Sequence, residues 1–239
     1  MHRFLIVAEL RGNLDRLHQL QRLVPERRPD GILFAGGILD GDQASHNEKL
    51  KKLEEFFDGL GRLGVFTAVI PGPADVPLRE FLRLAKDAEI EYPTIHVVHA
   101  TVAEEKDLVI CGLGGELTEA EDRAEDRLCY ARASAEYFLR ALWRAEQPRK
   151  VLLLSTAPPG PLGGETGNRI CGDFIDSYHP SLCVVAGPTE RRGAQRIAHT
   201  LVINPGRLAD GSAAWLDLMR HVNEQVEFLD VSAVPVNPT

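Results

Sequence analysis

No apolar run in the chain approaches the roughly 20 residues that a membrane-spanning helix needs. The stretch Phe4 to Ala8 behind Met1-His2-Arg3 is too short for a signal-peptide core. A soluble, cytoplasmic protein with no membrane partner is expected. Cysteine is scarce: Cys111, Cys129, Cys171 and Cys183 form no Cys-x-x-Cys pair. That spacing suggests neither a disulfide framework nor a zinc ribbon, and leaves the four as small apolar residues. Positive charge is also short, with 27 Lys and Arg against 35 Asp and Glu and a formal net charge of −8. Broad phosphate neutralisation needs a basic face, so nucleic acid is not an expected partner. The eight histidines contain no His-x-His or His-Glu-x-x-His spacing, so a histidine-rich metal centre would have to be gathered from scattered loops, with His199 the best placed to join one. Ser155 lacks the Gly-x-Ser-x-Gly elbow of a nucleophilic serine, and no His–Asp partner can be assigned to it.

What is present is enough apolar material for one sizeable core, 44% of 239 residues, and a single domain over residues 1–239 is expected. Short, β-branched-rich runs at Phe4 to Ala8, Ile32 to Ala35, Val65 to Ile70, Leu108 to Cys111, Val151 to Leu154, Leu182 to Ala186 and Leu201 to Ile203 have the pattern of strands covered on both faces. Apolar residues at helical spacing follow several of them: Leu14, Leu17, Leu20 and Val24, then Leu50, Leu53, Phe56, Phe57 and Leu60, then Leu78, Phe81 and Leu82. The stretch Glu119 to Glu146 predicts the longest helix, with Tyr130, Tyr137, Phe138, Leu142 and Trp143 on one face. That stripe packs a core, or makes a homo-oligomer face if it is exposed. Ala213 to Leu218 and Val226 to Val231 predict two closing strands. Alternation early and extra strands late predict an α/β fold of two facing sheets with helices outside, a four-layer α/β/β/α sandwich.

Ligand sites in such folds collect beyond the carboxyl ends of strands, and four segments there carry glycine, proline and acid in a fixed order. They are Ala8-Glu9-Leu10-Arg11-Gly12-Asn13, Ala35-Gly36-Gly37-Ile38-Leu39-Asp40, Ile70-Pro71-Gly72-Pro73-Ala74-Asp75 and Leu201-Val202-Ile203-Asn204-Pro205-Gly206. Over roughly residues 3 to 218 this series resembles the calcineurin-like metallophosphoesterases. The resemblance implies that these loops converge where the family holds two metal ions about 3.5–4 Å apart, bridged by a hydroxide that attacks a phosphate ester in line.

Set against the family's pattern, the scaffold letters agree and the metal-binding letters do not. Glu9 stands for the first Asp and Arg11 for its His, and arginine has no lone pair with which to ligate. Gly12 and Asn13 agree, and Asn13 is expected to cap the first helix. Gly37 stands where the family has its bridging aspartate, while Asp40 matches the second Asp of that motif. Pro73 and Ala74 replace the Asn and His of Pro-Gly-Asn-His-Asp, leaving Asp75. Ser155 or Thr156 fills a histidine slot before Pro158-Pro159, and Pro188 and Glu190 fill those of Gly-His-x-His. Gly112-Leu113-Gly114-Gly115 is at most a weak phosphate cradle, better read as a structural turn.

The resemblance thus implies the fold of a phosphoesterase with its dimetal site largely lost: a pseudoenzyme serving as a binding or regulatory module. The expected ligand-binding set is Glu9, Arg11, Asn13, Gly37, Asp40, Asp75, Thr156 and Glu190, with no catalytic residue, no resident metal and a phosphate-containing small molecule as partner. Without ions, carboxylates need another cation, and the Arg11 guanidinium is expected to enter the vacated space and pair with Glu9, Asp40 or Glu190. The alternative is a divergent hydrolase of phosphodiesters or nucleotides, with Glu9, Asp40, Asp75 and Glu190 holding one Mn or Mg ion.

Overall fold

The computed structural model describes residues 2–41, 45–75, 77–105, 107–120, 126–187, 191–218 and 225–233. The first third alternates strand and helix: β1 (His2–Val7), α1 (Asp15–Arg27), β2 (Gly31–Phe34), α2 (His46–Gly61), β3 (Thr67–Val69), α3 (Leu78–Glu91) and β4 (Ile95–Val97). The middle holds β5 (Val102–Glu105), β6 (Leu108–Leu113), β7 (Glu116–Thr118), β8 (Cys129–Ala131), α4 (Arg132–Arg144), β9 (Arg149–Leu154), α5 (Arg169–Tyr178) and β10 (Leu182–Val185). Four strands close the chain: β11 (Gly193–Ile197), β12 (Thr200–Asn204), β13 (Ser212–Leu218) and β14 (Gln225–Asp230).

Two six-stranded sheets result, in the orders β14-β13-β1-β2-β3-β4 and β11-β12-β10-β9-β6-β5, beside a small β7-β8 pair. In the first, β1 to β4 run parallel and β13 and β14 are added antiparallel. In the second, β6, β9, β10 and β12 run parallel between the antiparallel edges β5 and β11.

The period-2 alternation of each strand builds the layers. Leu5 and Val7 of β1 pack with Leu17 and Leu20 of α1 and Phe56 and Phe57 of α2, while Phe4, Ile6 and Ala8 turn the other way onto Ile110, Leu153 and Val184 of the second sheet. On the far side of that sheet Val109, Cys111 and Leu152 meet Leu139 and Leu142 of α4 and Phe174 of α5. Three apolar seams therefore separate four layers, the α/β/β/α sandwich. Cys111, Cys171 and Cys183 are buried in the outer seam, and burial pushes the Cys111 and Cys171 thiols up to about 12.

Two expectations need correction. The fourth helix is shorter than the sequence suggests: Arg132–Arg144, with Tyr130 on β8, so that among the described residues the 16-residue α2 is the longest helix; residues 121–125 of the expected span lie outside the described ones. Its apolar stripe mostly packs inward, with Tyr137 the exposed exception and the Arg140 guanidinium stacked on its ring. Asn13 does not cap α1 either. The residue before the helix is Leu14, without a side-chain cap, and the Asn13 amide instead donates to the Ala209 carbonyl at 3.1 Å, tying the first loop to the turn before β13.

Candidate functional site

The parallel strands β1, β2 and β3 all end at one edge of their sheet, and their loops are bound to one another by backbone hydrogen bonds. Glu9, Arg11 and Gly12 donate to the carbonyls of Gly36, Gly37 and Ile38, and Leu208 and Ala209 donate back to Ala8 and Glu9. This lacing holds Glu9 and Arg11 in the left-handed region, at φ 56° and 49°, a conformation that non-glycine residues keep only when the surroundings over-determine it.

The twist folds the Glu9 side chain over Gly37. A Cβ on Gly37 would lie 2.6 Å from Glu9 Oε1 and 2.7 Å from its Cδ. The Glu9 carboxyl thus occupies the space into which any side chain at position 37 would grow. Its other oxygen, Oε2, accepts from Arg11 Nε at 2.9 Å, with the Glu9 side chain 9% and the Arg11 side chain 29% exposed. Burial pushes the Glu9 carboxyl up from the usual carboxylate range, against the pull of Arg11 and, more weakly, Arg207. Among the described residues the two terminal nitrogens of Arg11 meet no acceptor.

Asp75 lies behind this surface. Its fully buried carboxylate accepts from the amides of Gly72 and Ile38 through Oδ2 and Leu39 through Oδ1, at 2.6, 3.0 and 2.6 Å. Burial pushes this group up as well, opposed by those same amides. It fixes the second and third loops against each other and presents no oxygen to the cleft.

The cleft in front measures about 220 Å³ and is lined by Glu9, Arg11, Gly37, Asp40, Ala74 and Ser155, among others. Asp40 sits at its exposed rim. Ser155 is buried and committed in both directions, donating to the Gly115 carbonyl and accepting from the Gly115 amide. A second hollow of about 230 Å³ adjoins it, sharing Pro73, Glu116 and Ser155 and continuing along Thr156, Thr166, Gly167, Asn168 and Gly187. Thr156 Oγ1 is buried without a hydrogen-bond partner.

The structure therefore brings Glu9, Arg11, Gly37 and Asp40 together, with Thr156 in the adjoining hollow, and turns Asn13 and Asp75 away. Glu190, with Pro188 and Thr189, lies outside the described residues. His199 stands at the amino end of β12, exposed, its ring edge-on to that of His179. Gly114 makes a close approach: a Cβ there would lie 2.0 Å from the Pro71 carbonyl oxygen, which is the structural role expected of that glycine cluster.

Sequence reasoning missed Glu116, Thr166 and Asn168. Asn168 had a readable signal, because it ends the run Gly163-Gly164-Glu165-Thr166-Gly167 just before the helical spacing of Ile170, Cys171, Phe174 and Ile175. Its Oδ1 caps the Cys171 amide.

The profile of the metallophosphoesterases of the calcineurin superfamily matches residues 1–229. The chain belongs to this family. Within the metallophosphoesterase fold, TT1561 of Thermus thermophilus superposes with a TM-score of 0.86 at 28% identity, over 96% of this chain and 99% of that one. A dimetal phosphatase from Danio rerio superposes at 0.66 with 11% identity, over 94% and 98%. GAP50, the anchor in the inner membrane complex of Plasmodium, does so at 0.60 with 10% identity, over 98% and 86%. At those last two identities only the fold is shared. No curated protein matches the chain.

Among the described residues no helix of this metallophosphoesterase-fold protein is long and apolar enough to cross a membrane.

Proposed function

We propose that this metallophosphoesterase-family chain works without a dimetal centre and binds a small phosphate-bearing molecule in the Arg11 cleft. The observation that carries the reading is the Glu9–Arg11 pair seated on Gly37. Two ions need converging carboxylates and imidazoles, with at least one oxygen ligand between them. Here one oxygen of Glu9 is taken by a guanidinium, the carboxylate of Asp75 is spent on backbone amides, and Asp40 sits at the exposed rim, accepting from the Gly41 amide. Among the described residues no three His, Cys, Asp or Glu side chains gather around one point. This donor set does not fit the family's ions, and the guanidinium supplies the positive charge that the buried Glu9 requires.

The same geometry supports binding. A guanidinium recognises phosphate by presenting parallel donors, and Arg11 lines a partly open cleft with its terminal nitrogens meeting no acceptor among the described residues. The Lys52 ammonium stands beside Gly12, adding a second cation near the same loop. That one family fold serves a dimetal phosphatase in one protein and an anchor in another is compatible with such a role.

Two assays on the full chain test this. Isothermal titration with inorganic phosphate is expected to show binding that Arg11→Ala abolishes. Turnover of bis(4-nitrophenyl) phosphate with added Mn is expected to stay at background. Mn-dependent turnover abolished by Glu9→Ala or Asp40→Ala would show a working oxygen-rich metal site and overturn the proposal.

A further inference from the structure

The two hollows beside Arg11 share a wall of Pro73, Glu116 and Ser155. At about 220 and 230 Å³, each falls short of the roughly 300 Å³ at which ligand pockets begin, so a ligand of ordinary size would have to span both. One end carries the Arg11 guanidinium among the carboxylates of Glu9, Asp40 and Glu116. The other is walled by hydroxyls, glycine backbone and the carboxylate of Glu116, and among the described residues no aromatic ring lines either hollow.

The second hollow also holds an unmet demand. Thr156 lines it, and behind that surface its Oγ1 is buried with no partner, a state that costs about 1–3 kcal/mol unless a ligand or water meets it. Asn168 cannot supply the bond, since its amide donates to the Leu117 carbonyl and its oxygen accepts from Cys171. Glu116 has one oxygen on Arg127 and a second available to a hydroxyl donor.

We infer that the joined cleft takes a small sugar phosphate, its phosphate on Arg11 and its hydroxyls on Thr156, Glu116 and Thr166. This rests on the binding role proposed above and adds the class of ligand. A nucleobase gains much of its affinity from stacking on an aromatic face, and the described residues of the cleft offer none. A polyol instead needs paired donors and acceptors along its length, which the second hollow provides.

Isothermal titration of the full chain with ribose 5-phosphate, ribose, inorganic phosphate and adenosine monophosphate tests the inference. Ribose 5-phosphate is expected to bind about tenfold or more tighter than inorganic phosphate, the worth of one well-made hydrogen bond, with adenosine monophosphate no tighter than ribose 5-phosphate. Thr156→Val, which keeps shape and removes the hydroxyl, is expected to weaken ribose 5-phosphate by about tenfold and leave inorganic phosphate unchanged. Thr166→Ala, at an exposed position, serves as a second probe of the same wall should Thr156→Val fold poorly.

Equal affinity for ribose 5-phosphate and inorganic phosphate, or indifference to both substitutions, overturns the sugar phosphate while leaving phosphate binding at Arg11 intact. Tighter binding of adenosine monophosphate than of ribose 5-phosphate overturns the exclusion of a base. If none of these anions binds, the binding role itself falls with the inference.

Discussion

A single methyl group added at Gly37 probes the packing on which the site depends. The glycine has φ 74°, and a Cβ there would stand 2.6 Å from Glu9 Oε1, 2.7 Å from its Cδ and 2.9 Å from its Cα. Holding a side chain in the left-handed region costs roughly 1–2 kcal/mol, and overpacking a rigid site adds about 1–3 kcal/mol. A carboxyl group can usually swing aside, but this one is buried and bound to Arg11. Gly37→Ala is therefore expected to lose about 2–5 kcal/mol. For a protein of this size that is a fall in Tm of very roughly 5–20 °C. Urea denaturation of Gly37→Ala, Glu9→Ala and the double variant separates the two contributions. In the Glu9→Ala background the two side-chain contacts are gone and the 2.9 Å approach to the Glu9 Cα remains, so the loss is expected to shrink toward the conformational part, about 1–2 kcal/mol. A Gly37→Ala protein as stable as the parent, or one whose loss is unchanged without the Glu9 side chain, would refute the claim that Glu9 fills this space.

Three other perturbations test the neighbouring contacts. Asp75→Ala strands three buried amides that now share one carboxylate, and a loss of about 3–5 kcal/mol is expected by denaturant titration; a loss under about 1 kcal/mol would contradict its role in joining the loops. Arg11→Met leaves Glu9 buried without its cation. Breaking a fully buried pair costs about 3–5 kcal/mol, so the partly open Arg11 site should show about 1–3 kcal/mol at pH 7. Adding Glu9→Gln to Arg11→Met is expected to recover part of that loss, whereas simple additivity of the two changes would deny their coupling. His99, whose Nδ1 accepts from the Gly114 amide and whose Nε2 meets the Tyr130 hydroxyl, is pushed by burial from 6.5 down to about 4. The unfolded chain takes up this proton near pH 6.5 and the folded protein only near 4, so stability from this group is fully present above 6.5 and is lost as pH falls to about 4. The total is about 3 kcal/mol at most. His99→Gln should flatten that acid limb in a pH series of denaturation curves, and an unaltered slope would contradict the assignment.

The fold was legible because parallel strands covered on both faces leave continuous apolar runs. β1, β2, β6, β9, β10 and β12 are all visible as such, and the helical spacing behind β1 and β2 locates α1 and α2. The unread strands are those that sit at sheet edges or outside the sheets. β11, Gly-Ala-Gln-Arg-Ile, is half-exposed along its length and mixes polar with apolar residues on both faces, and the three-residue β7 and β8 have too few positions to show a period. Tyr130 was assigned to a helix because the aromatic spacing of α4 extends into β8 by coincidence of side-chain type.

At the site, the substitutions at Glu9, Arg11 and Gly37 were readable singly, but the seating of Glu9 over Gly37 was not. It depends on positive φ at two non-glycine residues, which no local pattern announces. Asp75 shows the same limit in reverse: its sequence position marks a site loop, and only its burial reveals that both oxygens serve the backbone. Glu116 escaped notice because it opens the three-residue β7, outside the four marked segments.

The replacement of ions by a side-chain cation is tested most directly by the metal content of the intact protein. After growth with Mn and Zn supplementation and purification without chelator, inductively coupled plasma mass spectrometry is predicted to find well below one ion per chain, with the same result for Glu9→Ala. Two ions per chain, retained through dialysis and lost in Glu9→Ala or Asp40→Ala, would contradict the account.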